Sequence, residues 1–160
     1  MVRSFMSFYP LTSQIRCKNH YICHQILFLK DIRTVLCVDD DPDDREIVRT
    51  AISEIDPNFK VVDAENGMEA HSYLSDAKST GDFPCLIILD INMPVMDGKE
   101  TLVALKKDDQ LSKIPVAMFT TSSSPSDKQF FSDFGVDLVT KPADLSSIVF
   151  EVKKLLSYCA

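Results

Sequence analysis

Charged and hydroxyl side chains follow four short apolar segments of this chain, in a combination that suits phosphoryl transfer. An aspartate follows one segment (Asp90), a threonine another (Thr120) and a lysine a third (Lys141). The earliest segment is followed by three carboxylates in a row, Asp39, Asp40 and Asp41. Carboxylates in a partly desolvated cleft repel one another, and a hard divalent cation such as Mg2+ relieves that repulsion through oxygen ligands. A carboxylate nucleophile, a metal ion, an ammonium and a hydroxyl together favour transfer of a phosphoryl group to an aspartate.

The periodicity of the chain predicts the elements that position these side chains. Apolar or alternating runs predict five β-strands at residues 34–38, 59–64, 85–89, 115–119 and 137–140. Helical patterns follow each run, with apolar faces from Ile47 to Ile55 and from Leu145 to Leu156, and shorter segments at 68–78, 99–107 and 124–134. This alternation indicates an α/β fold, a doubly wound five-stranded parallel sheet with five helices. Ligands of such sheets bind beyond the carboxyl ends of the strands, where the polar groups would meet.

The net charge of −7 is unevenly distributed along the 160 residues. Residues 1–33 contain five basic residues and one acidic residue, whereas the remainder contains 12 basic and 23 acidic residues. The acidic body argues against nucleic acid as a partner, because contacts to phosphates need a basic surface. No apolar run is long enough to span a bilayer and no signal peptide is evident, so we expect a cytoplasmic protein without a membrane partner.

The five cysteines predict free thiols rather than a disulfide framework. Their number is odd, and Cys37 and Cys85 lie inside apolar runs. One group has spacings that could hold zinc, although no second half-site accompanies it: Cys17, His20, Cys23 and His24. His71, on the predicted second helix, is interpreted as a surface or boundary residue rather than as a phosphorylated histidine.

Four short motifs lie at the ends of the predicted strands. They are VLCVDDD at 35–41, LDINMPVMDG at 89–98, PVAMFT at 115–120 and TKP at 140–142. Together, and in this order, they resemble the receiver domains of two-component response regulators. The resemblance covers roughly residues 33–158 and implies a flavodoxin-like sheet with the strand order 2-1-3-4-5.

The resemblance implies a role for each matching residue at the metal. Asp90 matches the phosphoacceptor, which is also a metal ligand, and Mg2+ is the implied cofactor. Asp40 matches a direct ligand of the metal, and Asp39 matches its partner, which often acts through water. Asn92 matches the position whose backbone carbonyl binds the metal.

The resemblance also implies how the phosphoryl group is sensed. Thr120 matches the switch hydroxyl, and Lys141 matches the lysine that pairs with the phosphate. Pro142 matches a proline that is usually preceded by a cis peptide bond. The chain departs from the family at Leu138, where an aromatic switch residue is common, and residues 135–141 are one residue shorter than the commonest form. A leucine offers no ring to turn inward behind the threonine.

By the same resemblance the chain is expected to be a phosphoacceptor switch and not an enzyme, catalysing only its own phosphorylation and dephosphorylation. A histidine kinase or a phosphotransfer protein is the implied donor. Because the chain ends soon after the last predicted helix, we expect a single-domain regulator. Its output would be a contact with a protein target through the fourth helix, fifth strand and fifth helix.

Two other functions use a similar edge of a sheet. A phosphatase of the haloacid dehalogenase type would use Asp39 as nucleophile with Asp41 two places later. Such enzymes usually have Thr or Val where Asp43 stands, and they need a cap domain. A flavodoxin-like FMN binder needs a loop rich in Gly, Ser or Thr, and three aspartates would repel the FMN phosphate. Phosphorylation of Asp90 rather than Asp39 would exclude the phosphatase, and a colourless purified protein would exclude the FMN binder.

Several carboxylates near these motifs have structural interpretations. Asp41 is expected to cap the first helix rather than to bind metal. Asp97 is expected to be structural, beside the turn at Gly98. Asp43 and Asp44 are expected to complement the dipole of the first helix.

Residues 1–30 are expected to be an extension outside the native folded protein, which leaves residues 31–160 as the receiver domain. The extension has no helix caps, no sustained periodicity and a charge opposite to that of the body. Leu29 is a candidate for a non-standard start. Two alternatives stay open, a basic arm that docks on a partner or membrane surface, and a helix that packs on the domain.

Overall fold

Five strands alternate with five helices along the residues that the computed structural model describes, 32–121 and 124–159. The strands are β1 (Arg33–Val38), β2 (Phe59–Ala64), β3 (Leu86–Leu89), β4 (Val116–Thr120) and β5 (Asp137–Thr140). The helices are α1 (Pro42–Ile55), α2 (Gly67–Thr80), α3 (Gly98–Lys106), α4 (Pro125–Asp133) and α5 (Leu145–Leu156). Short 3-10 segments lie at Leu111–Lys113 and Ser157–Cys159. Residues 1–30, with the cysteine and histidine spacing that was considered for zinc, lie outside the described residues, and the interpretation of residues 1–30 as an extension stays a prediction.

The sheet is parallel throughout and has the order β2-β1-β3-β4-β5. All four residues of β3 are buried, because this strand is central and is covered on both faces. Alternate strand residues enter two separate apolar clusters. One cluster contains Leu36, Val38, Ile87, Leu89 and Met118 with residues of α2 and α3. The other contains Val35, Cys37, Ile88, Ala117 and Phe119 with residues of α1 and α5. The predicted doubly wound fold is therefore confirmed.

Side-chain caps fix where the helices begin next to the strand ends. Asp41 caps α1 and accepts a hydrogen bond from the Asp43 N–H, with Pro42 in the first turn. Asp97 caps α3 in a reciprocal pair with Glu100. The predicted capping role of Asp41 is confirmed, and the structural role expected of Asp97 is that of a helix cap. Each cap ends the preceding loop within a few residues, which keeps the loops at the site short.

Gly98 lets the start of α3 pack directly against the chain that follows β3. Its N–H donates to the Ile91 carbonyl at 2.9 Å. A Cβ at this position would lie 2.1 Å from the Asp90 carbonyl oxygen and 2.9 Å from the Ile91 Cα. No side chain fits so close to backbone, so the glycine sets the distance between α3 and the segment that presents Asp90.

A disulfide joins Cys85 to Cys159, with 5.0 Å between their Cα atoms. The prediction of free thiols is therefore wrong for this pair, whereas Cys37 is a free, buried thiol. Cys85 precedes β3 and its N–H donates to the Thr34 carbonyl at 2.8 Å, and the Cys159 carbonyl accepts from Arg33 at 3.4 Å. The fold brings the two cysteines together at the amino end of the sheet, the end opposite the carboxylates.

Two further expectations concern His71 and the membrane. His71 is half-buried on α2, as expected of a boundary residue, and its buried Nε2 has no hydrogen-bond partner among the described residues. In the described part of the chain, none of the helices is sufficiently long and apolar to cross a bilayer.

Removal of the disulfide should lower the free energy of unfolding. A cross-link over a sequence separation of 74 restricts the unfolded chain, and Cys159→Ser should cost about 2 to 4 kcal/mol. Urea unfolding of the oxidised wild type and of the variant measures the difference. With dithiothreitol present the wild type should unfold like the variant, and equal stability of the two without reductant would contradict the cross-link.

Gly98→Ala should destabilise the domain through a steric clash with backbone. Overpacking of this kind costs about 1 to 3 kcal/mol. Gly135→Ala is the matched control, since a Cβ there meets nothing within 4 Å and only the positive φ of 64° opposes it. The left-handed conformation alone costs about 1 to 2 kcal/mol for alanine. Thermal or urea unfolding measures the loss of stability of Gly98→Ala and of Gly135→Ala relative to the wild type. A Gly98→Ala protein as stable as the wild type would show that α3 does not lie this close.

Candidate functional site

The carboxyl edge of the sheet brings together the side chains that the sequence singled out. In the β1–β3 pair Val38 is aligned with Leu89, so Asp39 and Asp90 emerge side by side. In the β4–β5 pair Thr120 is aligned with Thr140, and the Lys141 N–H donates to the Thr120 carbonyl at 2.7 Å. Asp39 is 5% exposed, Asp90 6% and Thr120 fully buried. The site is thus a largely desolvated group of ionisable residues at the centre of the edge.

Lys141 is the centre of the electrostatics. Its Nζ lies 2.5 Å from Asp39 Oδ2, 2.7 Å from Asp44 Oδ2 and 3.4 Å from Asp90 Oδ1. Burial works to lower the pKa of Lys141, but hydrogen bonds to Asp39 and Asp44 outweigh it and raise that pKa. Burial raises the pKa of Asp39, although the bond from Lys141 opposes this. Three carboxylates share one ammonium, which leaves the group net negative.

Asp44 is a site residue that the sequence analysis missed. It was interpreted as a residue that complements the dipole of α1, and it does lie in the first turn of that helix. Its carboxylate also pairs with Lys141. The two residues are 97 positions apart, so no local pattern could have indicated the contact.

Backbone and arginine contacts hold the two buried carboxylates in place. Asp90 Oδ2 accepts from the Asn92 N–H at 2.7 Å, and Asp39 Oδ1 accepts from the Asp41 N–H at 3.0 Å. The Arg45 guanidinium donates to the Asp39 main-chain carbonyl at 2.6 Å. Arg45 is 9% exposed and was also missed, although it falls on the inward face of α1. An arginine at an apolar position of a helix beside a carboxylate cluster was the available signal.

Asp40 lies beside these buried groups and is exposed. It borders an open cleft of about 440 Å³ together with Asn92, Asp97, Lys99 and Asp127. Asp40 and Asn92, which the resemblance assigns to the metal, therefore lie on the same cleft. Lys99 forms an ion pair with Asp127 at 2.5 Å across it, which ties α3 to the first turn of α4.

The donor set fits a hard divalent cation. The residues that the resemblance assigns to the metal offer three carboxylates and one main-chain carbonyl, with no nitrogen or sulfur donor. Within the described residues no three Asp, Glu, His or Cys side chains converge into a complete cage. Mg2+ suits such a site, because it retains several waters and takes one or two carboxylates in combination with phosphate oxygens.

One expectation for the β5–α5 connection is wrong. The described residues contain no cis peptide bond, so the predicted cis bond before Pro142 is wrong. The trans form is the lower-energy state of an X–Pro bond, and Lys141 reaches the carboxylates with it. Leu138 is half-buried and packs against the apolar cluster on the α2–α3 side of the sheet, where it has no polar group to offer.

Comparisons with known proteins agree with this geometry. The family profile of the response regulator receiver domain matches residues 35–153. The phosphate regulon transcriptional regulatory protein PhoB of Pseudomonas aeruginosa is 31% identical over 125 residues, which cover 78% of this chain and 52% of PhoB. The chain thus spans about half the length of the first curated relatives it matches.

Two solved structures have the same fold. The phosphorylated cyanobacterial phytochrome response regulator RcpA is 32% identical with a TM-score of 0.71, covering 79% of this chain and 92% of the RcpA chain. The Mn2+-bound form of the response regulator Rcp1 is 26% identical with a TM-score of 0.68, covering 78% of this chain and 92% of the other. Since the family profile covers most of the chain and a relative exceeds 30% identity over more than two thirds of it, the chain belongs to the response regulator receiver domain family.

Proposed function

We propose that this receiver domain, a phosphoacceptor switch of two-component signalling, takes its phosphoryl group onto Asp90 from a histidine kinase or a phosphotransfer protein. The observation that supports Asp90 most directly is the set of contacts made by its two carboxylate oxygens. Asp90 Oδ2 accepts a hydrogen bond from the Asn92 N–H at 2.7 Å, whereas Oδ1 lies 3.4 Å from Lys141 Nζ. One oxygen is anchored by a backbone N–H, and the other lies at ion-pair distance from the ammonium that would neutralise the transferred phosphoryl group.

Asp39, the nucleophile of the alternative phosphatase, is engaged at both oxygens. Its Oδ1 accepts from the Asp41 N–H and its Oδ2 from Lys141 at 2.5 Å. Attack by either oxygen would weaken a hydrogen bond in a buried setting, and the 2.5 Å bond from Lys141 is the more costly of the two to weaken. The geometry therefore favours Asp90 over Asp39 as the acceptor.

The proposed transfer is a displacement at phosphorus. Asp90 Oδ1 forms the new P–O bond while the P–N bond of the donor phosphohistidine breaks. The electron pair of that bond stays with the imidazole nitrogen, which takes up a proton, and Asp90 becomes an acyl phosphate. Lys141 neutralises one side of the transferred group, and the Thr120 hydroxyl would bond a phosphoryl oxygen after transfer. The chain acts on itself alone and turns over no separate substrate.

The metal would be held by Asp39, Asp40, Asp90 and the main-chain carbonyl of Asn92. Mg2+, when bound, neutralises negative charge on the transferring phosphoryl oxygens. The protein supplies the rest: Arg45 fixes the Asp39 backbone at 2.6 Å, and the Asn92 N–H orients Asp90. The Mn2+-bound relative is 26% identical to this chain, which supports a divalent cation in the corresponding cleft.

The output is proposed to be a contact with a protein target through α4, β5 and α5. A groove of about 470 Å³ lies between α4 and β5 on this face and is bordered by Lys128, Ser132, Val136, Leu138 and Thr140. Thr120 ends the strand next to β5, so a shift of its hydroxyl towards a phosphoryl group would act on the segment that leads into α4.

Asp90→Asn should abolish phosphorylation of the folded protein, because the variant keeps the shape of the side chain and loses the nucleophile. The protein is incubated with Mg2+ and acetyl phosphate, and the modified residue is mapped by mass spectrometry. Asp41→Asn is the control and should be labelled like the wild type, since Asn also caps helices well. Labelling of Asp90→Asn at the wild-type rate, or on Asp39, would overturn the assignment.

Asp40→Ala should weaken Mg2+ binding. At about 100 times its dissociation constant, a ligand specific for the native state adds about 2.7 kcal/mol to the free energy of unfolding. The wild type should show this gain in urea unfolding, and Asp40→Ala should need far more Mg2+ to reach it. The metal-free variant should be at least as stable as the wild type, because one repelling carboxylate is gone. Asp43→Ala serves as the control, and equal Mg2+ affinity of Asp40→Ala and wild type would refute the ligand role.

A further inference from the structure

Asp44 gives Lys141 a partner outside the phosphorylation site. The Lys141 ammonium is closer to Asp44 Oδ2, at 2.7 Å, than to Asp90 Oδ1, at 3.4 Å. The side chain of Lys141 is 7% exposed and that of Asp44 is 28% exposed. The pair is therefore screened by water on the Asp44 side alone, and it joins the first turn of α1 to the segment after β5.

The position of Lys141 is a compromise between Asp44 and Asp90. An ammonium donates three hydrogen bonds, and here Asp39 and Asp44 take the two short contacts. A phosphoryl group on Asp90 would present new anionic oxygens, and Lys141 can pair with them only by moving towards Asp90. Every gain at the phosphoryl group then costs contact with Asp44, because the two acceptors lie on different elements.

An open cavity borders the Asp44 end of the pair. Asp44 and Lys141 line this cavity of about 350 Å³ together with Phe119, Pro142 and Ile148, whereas Asp90 does not. The Asp44 carboxylate also adds negative charge near the entering phosphoryl group, and this repulsion acts in the same direction as the competition for Lys141.

We propose that Asp44 is a positioning residue that holds Lys141 in a resting position and so lowers the affinity of the site for a phosphoryl group. The inference rests on the proposed function of Asp90 as the acceptor. A helix-dipole role alone does not account for the contact. Asp43 lies in the same first turn and provides the same charge, yet among the described residues it makes no ion pair with a lysine.

Asp43 therefore supplies a matched control. Beryllofluoride, which mimics a phosphoryl group on a carboxylate, is titrated at saturating Mg2+ into the wild type, Asp44→Asn and Asp43→Asn. Asp44→Asn should bind roughly three- to tenfold more tightly, the range expected for loss of a partly exposed ion pair plus its repulsion. Asp43→Asn should stay within about twofold of the wild type, since it removes the same charge without touching Lys141.

A second comparison distinguishes an effect of Asp44 through Lys141 from a purely structural effect of Asp44. In a Lys141→Ala background, Asp44→Asn should change beryllofluoride affinity no more than Asp43→Asn does, because the ion pair is already absent. Thermal unfolding of all variants reports any general loss of structure, and Asp44→Ser replaces Asp44→Asn if the latter is unfolded. Equal or weaker binding by Asp44→Asn than by Asp43→Asn would overturn the role of Asp44. A wild type that neither binds beryllofluoride nor labels on Asp90 would instead overturn the proposed function.

Discussion

One buried ammonium, that of Lys141, is the interaction on which the site depends. It meets carboxylates delivered by three different elements, Asp39 after β1, Asp90 after β3 and Asp44 from α1. Without it, Asp39 and Asp90 would be nearly buried anions side by side, a state that proteins avoid by protonation or unfolding. With it, the group is held together but stays net negative. A bound cation would neutralise this residual negative charge, whereas a phosphoryl group would add to it.

The scaffold makes this arrangement rigid where the chemistry needs it and leaves it adjustable elsewhere. Arg45 and the Asn92 N–H fix the backbone and the carboxylate beside the acceptor, and Gly98 lets α3 close onto the same segment. The Lys141 ammonium is held by hydrogen bonds and ion pairs with carboxylates and reaches them through a flexible four-carbon stem. Carboxylates that stay fixed while the lysine changes partners give two electrostatic states at little structural cost.

The parts of this structure that sequence could predict are local or periodic. The five strands, the helix starts and the meeting of Asp39, Asp90, Thr120 and Lys141 at one edge follow from apolar periodicity, caps and the geometry of parallel sheets. The strand order, by contrast, was implied by the family resemblance. The Asp44–Lys141 pair, 97 residues apart, and the Cys85–Cys159 bond, 74 apart, depend on how α1 and α5 pack against the sheet. Periodicity assigns a helix to a face of the sheet but not its axial position, so these contacts were missed.

The two ends of the sheet have opposite energetic characters. At the carboxyl end, like charges are concentrated and the site is destabilising by itself. At the amino end, a disulfide ties the residues after α5 to β3, and Arg33 pairs with Asp56 at 2.9 Å and lies over the ring of Phe59. Between them lie two apolar clusters that the central strand β3 shares. The contacts at the amino end and the two apolar clusters stabilise the domain, and this stability offsets the charge repulsion that function requires at the carboxyl end. Because β3 lies directly between Cys85 and Asp90, this strand joins the covalent link to the acceptor.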